Sequence, residues 1–235
     1  MTKSMSKERT SFTNILHEVC LDFLFPRTCL VCENGSLVVC ESCEKNLGPP
    51  ESRCIVCSRK NPLGSICAVC KKPTAPNHSL AIYKYEGICR DLVHLFKYND
   101  VTDLKHFFAE KLATHIRNID NFNNYHLSYI PLSRSKKRLR GYNQSELLCK
   151  EVAKILKVPF TGLLTRVDVS RSQALSQTKL ERKRNVKGIF KAKLQCPEYV
   201  ILIDDVITTG STMCEATKVL KQNGAKEVIC IAVAM

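Results

Sequence analysis

The sequence predicts an α/β fold with a parallel sheet, preceded by a small metal-stabilised module. Near-continuous apolar strands alternate with helical segments, which is typical of a parallel sheet covered on both faces. A block of four Cys-x-x-Cys pairs between Cys29 and Cys70 indicates the smaller module. The chain has 235 residues, 44% of them hydrophobic, which is enough for one ordinary domain and an appendage.

The segment 12–25 has apolar residues at helical spacing, and Pro26 ends it. Its polar face is not uniformly basic, which favours a helix packed on the rest of the fold over a membrane anchor. Apolar stretches are far shorter than the ~20 residues of a bilayer span, and no signal-peptide pattern is visible. We therefore expect residues 1–27 to be an N-terminal helical segment of a cytoplasmic protein without a membrane span.

The cysteine block predicts two structural zinc ions in residues 28–72. In a cytosolic chain this spacing favours metal over disulfides, and each Cys-x-x-Cys turn supplies two thiolates of a tetrahedral site. A segment of this size buries too little apolar surface to fold unaided. An iron–sulfur cluster or a redox pair is the alternative, and spacing alone leaves the pairing of the turns open. The predicted ligands are Cys29, Cys32, Cys40, Cys43, Cys54, Cys57, Cys67 and Cys70.

The second domain is predicted over residues 78–235, after a proline-containing linker at 71–77. Apolar runs predict its strands, and amphipathic spacing with Asn223-Gly224 as a helix stop predicts its helices. Two stretches, 134–143 and 165–187, are basic; the first is predicted as a loop and the second as a loop with some short structure. In chain order we expect a strand at 78–86, helices at 87–100 and 102–117, a strand at 125–133, a helix at 144–157, a strand at 199–206, a helix at 211–223 and a strand at 227–235.

The chain's positive charge is concentrated in one segment. Its formal net charge is +14, and residues 134–193 hold 17 Lys/Arg against four Asp/Glu. A solvated basic face would account for cations spread along the chain. Concentration of nearly the whole excess in one segment instead predicts an anionic ligand or polymer.

The stretch "YVILIDDVITTGST", residues 199–212, places two carboxylates between an apolar strand and a loop rich in hydroxyl groups. Backbone N–H groups and hydroxyls at a helix N-terminus favour a phosphate. Ionised carboxylates accept hydrogen bonds only, so Asp204 and Asp205 suit a diol. Open α/β sheets bind ligands at the carboxyl ends of their strands. The stretch therefore predicts a site for a sugar with a terminal phosphate.

This stretch resembles the signature of type I phosphoribosyltransferases, which bind phosphoribosyl pyrophosphate (PRPP) with Mg²⁺. The resemblance implies the parallel-sheet fold of that family. It also implies that Asp204 and Asp205 face the ribose at the catalytic centre. The residues that it assigns to the 5-phosphate are Thr208, Thr209, Gly210, Ser211 and Thr212.

Two further stretches resemble the ComF form of that fold. They are "YIPLSRSKKRLRGYNQSELL" and "RSQALSQTKLERKRNVKGIF", and they follow a double zinc ribbon with an "FPRTC" entry. The first implies that cations of the basic loop hold pyrophosphate, since Arg suits bidentate phosphate contacts. The residues assigned to PRPP on this ground are Arg134, Arg138, Arg140 and Gly141.

ComF-type proteins take part in natural transformation, so the resemblance also implies a role in DNA uptake, with single-stranded DNA and the competence machinery as partners. The residues assigned to nucleic acid are Lys136, Lys137, Arg182, Lys183 and Arg184. Aromatic residues among these cations are few, so base stacking is undersupplied. The alternative is an active phosphoribosyltransferase of nucleotide metabolism or salvage. A glutamine-dependent enzyme is disfavoured because no catalytic cysteine follows Met1.

Overall fold

The computed structural model describes residues 28–35, 37–61, 66–98, 103–167 and 188–235. The predicted N-terminal helix, 12–25, and Arg182, Lys183 and Arg184 lie outside these ranges. The coordinates divide into two compact units, residues 1–46 and 47–235. The first unit holds the quartet from Cys29 to Cys43, and the second holds the quartet from Cys54 to Cys70 together with the α/β sheet. The second quartet and the sheet therefore belong to one compact unit.

In the first unit the described residues include one short helix, α1, Glu41–Lys45. It begins directly after Cys40 and buries Cys43. The backbone amide of Cys40 also donates to the Cys29 sulfur at 3.4 Å. The fold of this unit is thus organised around its cysteines, since the other buried side chain near them is Val39.

The second unit contains a four-stranded parallel sheet and a two-stranded antiparallel ribbon. The sheet order is β1-β6-β5-β2, and every neighbouring pair is parallel, as predicted. The elements in chain order are β1, His78–Tyr83; α2, Gly87–Tyr98; α3, Asp103–Arg117; β2, His126–Tyr129; α4, Arg134–Arg140; α5, Gln144–Leu156; β3, Leu164–Arg166; β4, Phe190–Ala192; β5, Tyr199–Val206; α6, Ser211–Gln222; and β6, Glu227–Ala234.

The central strands β5 and β6 are apolar because both faces of the sheet are covered. Residues 200–203 and 228–234 are buried, as expected for parallel strands covered by helices. Strand β2 is shorter than the predicted 125–133. Ile130 still donates to the Ile203 carbonyl, but Pro131 has no N–H group, so the ladder stops there.

The prediction of a basic loop at 134–143 was wrong over its first 7 residues, where α4 forms. The Ser133 side chain caps this helix by accepting from the Lys136 amide, and serine is a favoured N-cap residue. Gly141 ends the helix with φ of 77°, a conformation that glycine adopts without strain. The cations of this segment therefore project from a helix.

The antiparallel ribbon of β3 and β4 was also missed. The two strands have three residues each and pair across the described ranges, Leu164 with Ala192 and Arg166 with Phe190. Strands this short carry little periodicity. The pairing places residue 166 beside residue 190, so the two ends of the predicted basic stretch at 165–187 come close together.

Candidate functional site

The two predicted metal centres are assembled in the described residues. The four sulfur atoms of each quartet lie within 4.8 Å of one another, and the quartets are sequential. Closest approaches of 3.7 Å join Cys32 to Cys40 and Cys57 to Cys67. A tetrahedral zinc site with Zn–S bonds of about 2.3 Å puts its sulfurs roughly 3.8 Å apart. Both quartets therefore fit zinc, and the pairing that the sequence left open is four consecutive cysteines for each ion.

We expect two zinc ions per chain and no iron. Metal analysis of protein purified without added metal measures this directly. Because all four ligands of each site are thiolates, alkylation of the cysteines should release both ions. Visible absorption from an iron–sulfur cluster, or fewer than two zinc equivalents in folded protein, would contradict the assignment.

The acid pair stands at the carboxyl end of β5, where the sequence placed it. The Ser145 hydroxyl donates to Asp204 Oδ1 at 2.7 Å, and the Asp205 amide donates to the same oxygen at 2.9 Å. Burial, together with the neighbouring Asp205 charge, raises the pKa of Asp204 to about 7 against the opposing effect of these two hydrogen bonds and of Lys97. The Asp204 carboxyl thus titrates near neutral pH.

Asp205 forms an ion pair with Lys97 from the end of α2. The Lys97 Nζ lies 3.2 Å from Asp205 Oδ2, and each side chain is 14% exposed. Lys97 also lies 6.0 Å from the centre of the Tyr85 ring. The sequence assigned no role to Lys97, although the last turn of a predicted helix before a break is a place where a cation can reach a neighbouring site.

The hydroxyl loop, residues 208–212, joins β5 to α6. Gly210 is the N-cap of α6 with φ of 70°, and the Thr209 hydroxyl donates to Ser211 Oγ at 3.0 Å. The Ser211 amide donates to Thr209 Oγ1 at 3.4 Å, and the dipole of this 12-residue helix favours an anion at its start. The loop precedes a helix as the sequence predicted, and its assignment to a phosphate stays a prediction.

Four cations form a cluster that reaches the acid pair through Lys97, and we call them the cation group: Lys97, Lys136, Arg140 and Arg166. Desolvation and the charges of the other three members lower the pKa of Lys136. Neighbouring cations repel one another unless negative charge lies between them. A cluster of like charges therefore indicates a place where an anion binds.

Arg140 is held in place before any ligand binds. It donates to Gln144 Oε1 at 3.2 Å and to the Tyr98 hydroxyl at 3.0 Å, and its guanidinium lies 4.8 Å from the Tyr98 ring centre. Among the described residues its buried Nε finds no acceptor. Gln144 in turn donates to the Lys97 carbonyl at 3.1 Å, so α2 and α5 fix this arginine jointly.

The other residues predicted to bind ligands are less closely tied to the acid pair. Arg134, Lys137 and Arg138 are exposed on α4, and Lys137 lies 3.7 Å from Glu146. Lys136, predicted for nucleic acid, is also a member of the cation group. Ser145 and Lys97 were missed, because their contacts to the acids join residues far apart in sequence.

A cavity of about 420 Å³ borders the hydroxyl loop. Its floor is formed by the carboxyl ends of β1 and β6, where the Tyr85 amide donates to the Met235 carbonyl at 3.0 Å. Its lining includes Ile55, Tyr85, Ile207, Thr208 and Met235. The cavity is mostly apolar, with ionic groups at Glu51, Arg53, Lys84 and Glu86.

Comparison with protein families gives two matches, one in each of the two predicted domains. Residues 20–71 match the double zinc ribbon domain, and residues 143–235 match the phosphoribosyl transferase domain. The predicted order of a double zinc ribbon followed by a phosphoribosyltransferase domain is confirmed by these matches, and the parallel sheet agrees with it.

Two of the three curated relatives described here are similar to the chain over most of their length. DNA utilization protein YhgH from Escherichia coli (strain K12) is 25% identical over 215 residues, covering 86% of this chain and 94% of the relative. Competence protein ComFC from Streptococcus pneumoniae is 28% identical, covering 85% and 88%. Competence protein F from Haemophilus influenzae is 35% identical over 104 residues, 42% of this chain and 45% of the relative. No helix in the described ranges has the length and apolarity to cross a bilayer.

Proposed function

We propose that this chain binds PRPP with Mg²⁺ and serves in the handling of DNA during natural competence. One observation carries the proposal: the acid pair and the hydroxyl loop meet at the carboxyl end of β5, with the cation group beside them. The phosphoribosyl transferase match and the relatives named for competence and DNA utilization support the same setting.

Each part of PRPP has a chemical counterpart in this arrangement. The ribose diol would donate to Asp204 and Asp205, and the 5-phosphate would lie on the amides and hydroxyls of the loop at 208–212. The pyrophosphate would face the cation group, in which Arg140 already has a fixed orientation. Because the loop is neutral and the cations lie apart from it, the two ends of the ligand would be distinguished by charge.

The acid pair also suits Mg²⁺ that arrives with the ligand. Mg²⁺ keeps several waters and is typically bound through one or two carboxylates and substrate phosphates. Asp204 and Asp205 offer such oxygens beside the proposed pyrophosphate position. Bound Mg²⁺ would neutralise charge that otherwise repels between the acids and the phosphates.

Calorimetric titration with PRPP and Mg²⁺ tests the proposal. Asp205→Asn should weaken binding about tenfold, because a hydrogen bond to a charged group contributes roughly 1.5–3 kcal/mol. Asp91→Asn is the matched control, since Asp91 is 70% exposed and pairs only at the surface with Arg90. Equal affinities for Asp205→Asn and Asp91→Asn, or no heat from the unmodified chain, would reject the site.

Single-stranded DNA binding is proposed for the exposed cations of α4. If Lys137 and Arg138 contact phosphates, neutralising both to Gln should reduce the slope of log affinity against log salt by about 1.4, since each contact to a single strand contributes about 0.7. Fluorescence anisotropy across a salt series measures the slope. Lys218→Gln with Lys226→Gln removes the same charge from exposed positions on and after α6. If both double variants gave the same slope of log affinity against log salt as the unmodified chain, α4 would be excluded from the interface.

A second candidate function is transfer of the phosphoribosyl group to an acceptor. The observation that favours it is the cavity of about 420 Å³ beside Thr208, which has room for a small flat molecule next to the proposed ribose position. Holding the leaving pyrophosphate would then be the main catalytic contribution of the cation group. Release of pyrophosphate from PRPP in the presence of candidate acceptors would establish this activity, and its absence for every acceptor would leave the binding function alone.

A further inference from the structure

The turn between Cys54 and Cys57 is the first turn of the second quartet, and we call it the second knuckle. It packs against the hydroxyl loop. Gly210 has no side chain, and a Cβ built there would collide with the carbonyl oxygen of Ile55. The knuckle is closed by a hydrogen bond from the Ser58 amide to the Cys54 carbonyl at 2.8 Å. The backbone of the metal centre therefore lies directly on the residue that begins α6.

The knuckle and the loop also share one hydrophobic core. Cys54 is 0% and Ile55 3% exposed, and both belong to the same buried cluster as Ile207 and Met213. These last two residues flank the loop on either side. Displacing the knuckle would therefore remove packing from both ends of the loop together, and not from Gly210 alone.

The metal determines the conformation of the knuckle. Ile55 lies between two ligands of one ion, so coordination by Cys54 and Cys57 fixes the direction of its carbonyl. Without metal, four sulfurs within 4.8 Å of one another have no reason to stay together.

We propose that the second zinc site is a positioning element for the phosphate loop, and that Ile55 transmits zinc occupancy to Gly210. The inference rests on the proposed function only for its effect on PRPP; its effect on the loop stands independently. Every contact that carries it lies within the unit 47–235. The first quartet belongs to the other compact unit, so it provides a matched control with the same chemistry.

Amide hydrogen exchange with zinc analysis tests this proposal. Cys70→Ser keeps three thiolates in the second quartet, so it lowers the zinc affinity of that site while metal can still be added back. Cys43→Ser makes the same change in the first quartet. Both variants are measured at zinc concentrations that leave the altered site empty. In Cys70→Ser we expect the amides of 207–213 to exchange at least tenfold faster than in the unmodified chain. In Cys43→Ser we expect the same amides to exchange at the rate of the unmodified chain.

Restoring zinc to Cys70→Ser should restore protection of the loop and, if the proposed function holds, PRPP affinity with the same zinc dependence. The amides of β5 at 200–203 should stay protected throughout. Loop exchange that is independent of zinc would overturn the inference. Loss of protection in β5 together with the loop would also overturn it, because zinc would then support the whole unit. Failure of PRPP to bind the unmodified chain would reject the proposed function and leave the exchange result decisive for this inference.

Discussion

Gly210→Ala should reduce PRPP binding below detection while the chain stays folded. The added Cβ meets the Ile55 carbonyl oxygen, a backbone atom that cannot move aside as a flexible side chain would. The φ of 70° at this position is also unfavourable for alanine. The loop must therefore shift, and amides displaced by about 1 Å no longer converge on one phosphate. Titration calorimetry measures the affinity, and circular dichroism checks that the fold is retained.

Gly87→Ala separates the collision from the backbone strain. Gly87 also has a positive φ, 46°, but a Cβ there meets nothing within 4 Å. This control should lower the free energy of unfolding by about 1 kcal/mol, the cost of the backbone conformation alone, and leave PRPP binding unchanged. Should Gly210→Ala bind PRPP as well as Gly87→Ala, the hydroxyl loop would not be the phosphate site.

PRPP affinity should fall about tenfold for each pH unit below about 7, giving a hundredfold loss over two units. Burial raises the pKa of Asp204 to about 7 in the free protein. Ribose hydroxyls donate hydrogen bonds and so prefer the ionised carboxylate, which is lost as pH falls through that value. At pH 7 the carboxyl is about half protonated, so binding should release about half a proton, and calorimetry in buffers of different ionisation enthalpy detects it.

Asp204→Asn is the control for this pH dependence. The amide keeps an oxygen that can accept from Ser145 and the Asp205 amide, but it does not titrate. Its affinity should be lower and its profile flat apart from the titration of the ligand phosphate near pH 6. A steep profile that persists in Asp204→Asn would assign the titration to another group.

The same raised pKa affects folding in a defined direction. Between the ordinary value of 3.8 and about 7, the folded chain keeps the Asp204 proton and the unfolded chain does not. The contribution of this group to the free energy of unfolding is therefore fully favourable below 3.8 and falls as pH rises through this window. Burial of Asp204 therefore costs stability at and above neutral pH.

The sequence was sufficient where the signal is local. Strand β5 was predicted with its observed bounds, and α5 and α6 to within one residue, because continuous apolar runs and caps depend only on neighbouring residues. The eight cysteines, the acid pair and the hydroxyl loop were recognised for the same reason. Residues that are close in the sequence come together in one turn or loop, so their spacing is visible without the fold. Helix α4 was missed because a dense run of cations hid the Ser133 cap.

Only the tertiary structure decided which distant residues share the site. The Ser145 contact to Asp204 joins positions 59 residues apart, and the Lys97 pair with Asp205 joins α2 to β5. Residue types and spacing determined the parallel sheet, the two cysteine quartets and the hydroxyl loop. Burial and chain crossing determined the raised pKa of Asp204, the cation group and the packing of the second knuckle on Gly210. Such properties depend on distances through space, which no local pattern in the sequence encodes.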